Sequence, residues 1–124
     1  MKILIGDNSS VVRERLVRLL ADVKGVEIAG QAQDALEVRN LAQRLKPDVA
    51  ILDLRMPRDN TADVLCGVKK MNPATKVIVL TNDTHPEIRN KCFDDGADYF
   101  FDKSTEFQKM LSAVRSMLPA SGKR

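Results

Sequence analysis

The chain has 124 residues, of which 44% are hydrophobic and 30% charged, a composition that predicts one folded domain and argues against a disordered chain. No apolar run approaches the roughly 20 residues of a membrane span, and the two cysteines form no C-x-x-C pair. The net charge of +3 is dispersed, which argues against direct binding of nucleic acid. The N-terminal apolar stretch ends at Asp7, too early for a secretion signal, so we expect a cytoplasmic protein.

Five short apolar runs alternate with segments in which apolar residues recur every three or four positions, as in helices that pack on one face. The runs predict strands at residues 3–5, 26–29, 49–52, 77–80 and 99–101, and the periodic segments predict helices over residues 12–23, 35–45, 64–71, 88–93 and 107–118. Runs that are apolar throughout, such as 49–52, are typical of strands covered by helices on both faces of a parallel sheet. The mixed run at 26–29 suits an edge strand. The expected fold is a three-layer α/β sandwich.

Two helix starts are predicted from capping boxes, in which a threonine and an acid or amide three residues later exchange hydrogen bonds with the backbone. The matching pairs are Thr84 with Glu87 and Thr105 with Gln108. We therefore expect the fourth and fifth helices to begin at these two threonines.

Polar residues follow four of the five predicted strands. Asp7 comes after Gly6 at the end of the first strand, Asp53 follows the third, Thr81 follows the fourth, and Lys103 comes shortly after the fifth. In an open parallel sheet the functional crevice lies beyond the carboxyl ends of the strands, so these side chains should meet on one rim. Each residue alone would be an ordinary surface or turn residue. Their shared placement predicts a site with two carboxylates, a hydroxyl and an ammonium group.

The residues around these positions resemble the receiver domain of two-component response regulators. The matching stretches are ILIGD at residues 3–7, DVAILDLRMP at 48–57, VIVLT at 77–81 and GADYFFDK at 96–103. The resemblance implies a flavodoxin-like (βα)5 fold with strand order 2-1-3-4-5, comparable to single-domain chemotaxis regulators. It also implies a domain over residues 1–120 with a short tail at 121–124, and a chain that is not an enzyme beyond assisting its own phosphorylation and dephosphorylation.

In this family a histidine kinase or a phosphotransfer protein donates a phosphoryl group to one aspartate, and the resemblance implies that Asp53 is this acceptor. Mg²⁺ would bind to Asp7, Asp53 and the backbone carbonyl of Arg55. Lys103 and Thr81 would hold phosphoryl oxygens. Such a site needs cations, since the acceptor carboxylate and the phosphoryl group are both anionic.

Phosphorylation in the family moves the threonine toward the phosphoryl group and turns an aromatic residue inward. The matching residues are Thr81 and Phe100, the latter three positions before Lys103. The surface that changes would extend from Thr84 to Leu118, and a downstream protein or a second copy of the chain would bind there. Direct contact with nucleic acid or a membrane is not expected.

Several positions depart from the family pattern. Gly6 stands where a first acid is usual, which predicts weaker binding of Mg²⁺, while Asn82 replaces a small residue and Ser104 replaces a proline. Arg55 and Asp83 occupy positions that tune dephosphorylation in the family. An ion pair between these two side chains would shield a long-lived phosphoryl group from attacking water.

Two other functions stay open. One is a degenerate receiver that acts as a phosphorylation-independent protein-interaction module, which Gly6 and Asn82 would favour. The other is a flavin- or nucleotide-binding domain of the same fold, which is disfavoured because Asp7 would repel phosphate and no glycine-rich phosphate-binding motif is present. The single histidine, His85, is expected to be exposed near a helix start and not to bind a metal.

Overall fold

Strands and helices alternate along the chain in the computed structural model, which describes residues 1–56 and 61–118. The strands are β1 (Lys2–Gly6), β2 (Glu27–Ala32), β3 (Val49–Leu52), β4 (Lys76–Thr81) and β5 (Tyr99–Asp102). The helices are α1 (Ser10–Ala21), α2 (Ala35–Leu45), α3 (Thr61–Met71), α4 (Pro86–Asp94) and α5 (Phe107–Met117). The predicted order of elements is confirmed. Pro57, the expected domain end at residue 120 and the expected tail at 121–124 lie outside the described residues.

The strands form one parallel sheet in the order β2-β1-β3-β4-β5, so the expected flavodoxin-like topology is confirmed. The central strand β3 is buried at every residue, as its wholly apolar sequence predicted. The edge strand β2 is only partly buried and extends to Ala32, three residues beyond the apolar run. The carboxyl ends of all the strands therefore point to the same edge of the sheet, where the polar residues lie.

The sheet separates two apolar cores, because alternate residues of each strand point to opposite faces. Leu4, Val79 and Phe100 belong to the core that includes buried residues of α2, α3 and α4. Ile5 and Ile78 belong to the core that includes buried residues of α1 and α5. None of the described helices is long and apolar enough to cross a membrane.

The two predicted capping boxes are wrong. Helix α4 begins directly after His85 and α5 directly after Glu106, and neither of these N-cap side chains bonds the backbone of its helix. Thr84 and Thr105 each lie one residue too early for the cap position. The Glu106 carboxylate instead accepts a hydrogen bond from the backbone N–H of Asp102, at 2.8 Å, so it closes the loop before α5.

Candidate functional site

The four polar residues predicted at the strand ends are brought together. Lys103 Nζ lies 2.8 Å from Asp7 Oδ2 and 3.1 Å from Asp53 Oδ2. The backbone N–H of Lys103 donates to the carbonyl of Thr81 at 2.8 Å, which places these two residues side by side. Asp7, Asp53 and Thr81 are buried, and Lys103 is mostly so. The predicted site is therefore present at the predicted edge of the sheet.

Two carboxylates share one ammonium group in this site. Burial is the largest influence on the pKa of Lys103 and would lower it, but the hydrogen bonds and negative charges of Asp7 and Asp53 together raise it above its ordinary value. Lys103 therefore stays protonated at neutral pH. The formal charge of these three side chains is one negative unit, which favours a further cation at the same place.

Each carboxylate is oriented by its own loop. Asp7 Oδ1 accepts a hydrogen bond from the backbone N–H of Ser9 at 2.8 Å, and Asp53 Oδ1 accepts one from the backbone N–H of Arg55 at 3.2 Å. The other oxygen of each carboxylate faces Lys103. Because a carboxylate oxygen has more than one lone pair, all four oxygens keep the capacity to accept another ligand.

The donor set fits a magnesium ion. Mg²⁺ is bound in proteins by one or two carboxylates and keeps several of its waters, and Asp7 and Asp53 provide two such groups. The described residues contain no group of three or more histidine, cysteine, aspartate or glutamate side chains suited to a metal. The carbonyl of Arg55 is the third ligand that the resemblance to receiver domains implies.

The space around Gly6, which stands where an acid is usual in receiver domains, is closely packed. A Cβ atom at this position would lie 2.7 Å from Val38 Cγ2, 3.0 Å from Leu52 Cδ2 and 3.4 Å from Met56 Sδ. These three side chains are buried, so the space next to the Gly6 Cα is already filled with apolar groups. A larger residue at position 6 would therefore require at least the Val38 side chain to move.

A polar network surrounds the buried centre on its solvent side. Arg55 Nη2 lies 3.0 Å from Asp83 Oδ2, so the predicted ion pair is present, and His85 Nδ1 lies 2.7 Å from Asp83 Oδ1. The backbone N–H of Asp83 donates to Thr81 Oγ1 at 3.1 Å. The hydrogen bonds from His85 and then from Arg55 lower the pKa of Asp83. Arg55 has 77% of its side chain exposed, which makes the network a rim and not part of the core.

Sequence reasoning missed two contacts of this rim. His85 is exposed, as predicted, but its hydrogen bond to Asp83 was not expected. The hydroxyl of Ser104 donates to Asn82 Oδ1 at 3.0 Å, which joins two residues that depart from the family pattern. The sequence places both of them directly after site residues, which is the signal that would have found this bond. The peptide bonds of the described residues, Lys103–Ser104 included, are trans.

Phe100 is buried in the core beneath the site, with 5% of its surface exposed. Its ring centroid lies 6.4 Å from that of Phe93, and the Arg89 guanidinium lies 5.7 Å from the Phe100 centroid and 5.4 Å from the Phe93 centroid. Arg89 and Phe93 belong to α4, and both are exposed. Phe100 therefore connects the site edge of β5 with the outer face of α4.

Comparisons with known proteins agree with this fold. The family model described as the response regulator receiver domain matches residues 3–115. The chain is 29% identical over 117 residues to the response regulator GacA of Pseudomonas aeruginosa, covering 94% of this chain and 55% of that protein. It spans about half the length of the curated relatives that it matches.

Solved structures give the same result. The signal receiver domain of the response regulator NarL from Mycobacterium tuberculosis aligns with a TM-score of 0.85 at 30% identity and covers 93% of both chains. The response regulator domain of Thermotoga maritima CheB aligns with a TM-score of 0.85 at 28% identity and covers 94% of both. The fold and its carboxylate–lysine centre define a receiver domain. This chain belongs to the response regulator receiver domain family.

Proposed function

We propose that Asp53 accepts a phosphoryl group from a histidine kinase or a phosphotransfer protein, and that the modified chain then switches a protein-interaction surface. The observation that carries this proposal is the position of Lys103 Nζ, within 3.1 Å of Asp53 and 2.8 Å of Asp7 at the carboxyl edge of the sheet. A buried carboxylate beside a fixed cation suits attack on an anionic group, since the cation offsets the charge that gathers as the two approach.

The step is a transfer of a phosphoryl group between two protein side chains. A carboxylate oxygen of Asp53 forms the new O–P bond, and the N–P bond of the donor phosphohistidine breaks, which leaves the electron pair on the imidazole nitrogen. Lys103 would neutralise one phosphoryl oxygen, and the Thr81 hydroxyl would donate to another. The product is an acyl phosphate on Asp53. The chain acts as acceptor and assists this step, and we do not assign it turnover of a separate substrate.

Mg²⁺ would be held by Asp7, Asp53 and the backbone carbonyl of Arg55. When bound, it supplies positive charge that stabilises the phosphoryl oxygens during transfer. Asp7 keeps one oxygen on the backbone N–H of Ser9, so its carboxylate has a fixed direction before any ion arrives. With a glycine at position 6, the chain offers one carboxylate fewer than the usual family site, and we expect weaker binding of Mg²⁺.

The switching surface would extend from Thr84 to Leu118. Thr81 would move toward the phosphoryl group, and Phe100 would adjust its packing against Phe93 and Arg89 of α4. A downstream protein or a second copy of the chain would bind this surface.

We place the protein in the cytoplasm, where such kinases present their phosphohistidine. We also assign residues 1–120 to the domain and 121–124 to a tail.

The proposal is tested by incubating the protein with Mg²⁺ and acetyl phosphate and measuring intact mass. The wild-type chain should gain the mass of one phosphoryl group, and Asp53→Asn should not, because an amide is no nucleophile for this step. Asp94→Asn, at an exposed position of α4, serves as the matched control and should be modified like the wild type. Modification of Asp53→Asn at the wild-type rate would refute Asp53 as the acceptor.

A degenerate receiver is the alternative function, which the residue types Gly6 and Asn82 leave open in the sequence. Such a protein would bind its partner without modification. The two functions separate in one comparison, in which partner binding by the wild type and by Asp53→Asn is measured with and without a phosphodonor. Equal binding in all four samples, together with no phosphoryl uptake from acetyl phosphate or from a kinase, would favour the degenerate receiver.

A further inference from the structure

The sheet pairing between β4 and β5 is continued by side chains beyond the ends of the strands. Thr81 pairs with Asp102 at the strand ends, and the backbone N–H of Lys103 donates to the Thr81 carbonyl at 2.8 Å. One residue beyond Thr81 and Lys103, the Ser104 hydroxyl donates to Asn82 Oδ1 at 3.0 Å. A side-chain hydrogen bond thus takes the place of the next backbone bond.

Apart from Lys103, which bonds Thr81, Asp7 and Asp53, the loop after β5 makes most of its other hydrogen bonds within itself. The backbone N–H of Ser104 donates to Asp102 Oδ1 at 2.7 Å. The backbone N–H of Asp102 donates to the Glu106 carboxylate, and the backbone N–H of Glu106 donates to the Asp102 carbonyl. These bonds give the loop its shape, but they do not join it to β4. The Ser104–Asn82 bond adds a second connection between the loops after β4 and β5, next to the backbone bond from Lys103 to Thr81.

The loop after β4 is held on its other side as well. Asp83, the neighbour of Asn82, pairs with Arg55 from the loop after β3 and donates its backbone N–H to Thr81 Oγ1. Asn82 therefore lies between two connections, one toward β3 and one toward β5. Both connections restrict the position of Asn82, and the bond to Ser104 links it to the residue directly after Lys103.

We propose that Ser104 is a positioning residue whose hydrogen bond to Asn82 holds Lys103 at Asp53 for phosphoryl transfer. This inference rests on the proposed function. Without the bond, the loop after β5 separates more often from β4, and Lys103 leaves Asp53 for part of the time. A net hydrogen bond changes an equilibrium constant by about two- to tenfold, so the competent fraction and the transfer rate fall within that range.

The test compares the rate at which acetyl phosphate with Mg²⁺ modifies Asp53 in a set of variants. Ser104→Ala should slow uptake by about two- to tenfold. Ser104→Thr keeps the hydroxyl and should restore a rate near that of the wild type, while Ser112→Ala, at an exposed position of α5, should have no effect. In an Asn82→Ala background the change at Ser104 should make no further difference, because its partner is already gone.

An unchanged rate in Ser104→Ala would overturn the proposal, as would a slowing that persists undiminished in the Asn82→Ala background. Amide hydrogen exchange at Lys103, measured on the unmodified protein, provides a readout that needs no phosphoryl transfer and should accelerate in Ser104→Ala by up to about tenfold. A wild-type chain that gains no phosphoryl group would refute the proposed function. Unchanged exchange at Lys103 would refute the positioning role of Ser104 and leave the proposed function untouched.

Discussion

Replacing Gly6 with alanine is expected to destabilise this protein, although glycine to alanine at a compatible backbone position usually stabilises a fold by about 0.4–1 kcal/mol. The new Cβ would lie 2.7 Å from Val38 Cγ2 and 3.0 Å from Leu52 Cδ2. Valine is stiff about its first side-chain bond, so its methyl group yields only if α2 shifts or the rotamer changes. Overpacking of a buried site costs about 1–3 kcal/mol, which outweighs the entropic gain.

The net expectation for Gly6→Ala is a loss of about 1–2 kcal/mol, measured by urea denaturation with linear extrapolation. Gly67→Ala is the matched control, because a Cβ there meets its nearest neighbour, Arg39 Cδ, at 4.0 Å. That substitution, inside α3, should stabilise the protein by about 0.5–1 kcal/mol. Val38→Ala should partly rescue Gly6→Ala, with a coupling energy of about 1 kcal/mol. A Gly6→Ala protein as stable as the wild type, or strictly additive effects, would refute the packing argument.

Three further predictions concern the charged groups. Lys103→Met leaves two buried carboxylates without their cation and should lower the free energy of unfolding at neutral pH by about 3–5 kcal/mol in urea titrations. An unchanged midpoint would contradict the stabilising role of these ion pairs. Because folding raises the pKa of Lys103, its contribution is fully present below the ordinary lysine value, and the two proteins should converge only as the pH rises through the folded value. Arg55→Ala should speed loss of the phosphoryl group by about two- to fivefold, followed by mass, and an unchanged decay would end the shielding hypothesis. The Asp83 carboxyl should titrate below its ordinary pKa of 3.8 in NMR spectra, and His85→Ala should raise the Asp83 pKa. An unchanged Asp83 pKa in His85→Ala would contradict the hydrogen bond between these two side chains. Since that pKa is lowered, the pairing is complete above the ordinary value and is lost as the pH falls through the folded one.

The fold was predictable because its signals are repeated along the chain. Four strands contain apolar runs and the edge strand β2 is mixed, each helix has one apolar face, and the parallel arrangement follows from runs such as 49–52 that are apolar throughout. The meeting of Asp7, Asp53 and Lys103 followed from a rule of topology, which places the carboxyl ends of parallel strands at one edge. No information about individual side-chain contacts was needed for either result.

The missed features depend on contacts between segments that are distant in sequence. The bond between Ser104 and Asn82 joins exposed polar residues, which leave no periodic pattern in the sequence. The role of Gly6 depends on Val38, which reaches it from the second helix. The capping boxes failed for a local reason: the helix starts are shifted by one residue, and the threonine pattern does not report that shift.

The division of the interior by the sheet limits where a change at the site can be detected. Phe100 and Phe101 are neighbours in the chain, yet their side chains lie in different cores, one shared with α2, α3 and α4 and the other with α1 and α5. A repacking of Phe100 would act directly on the first core, and it would reach the second core, to which α5 of the proposed switching surface belongs, only through the sheet. A protein bound to α4 would therefore sense the state of the chain, whereas one bound to the outer face of α1 would be insensitive to it.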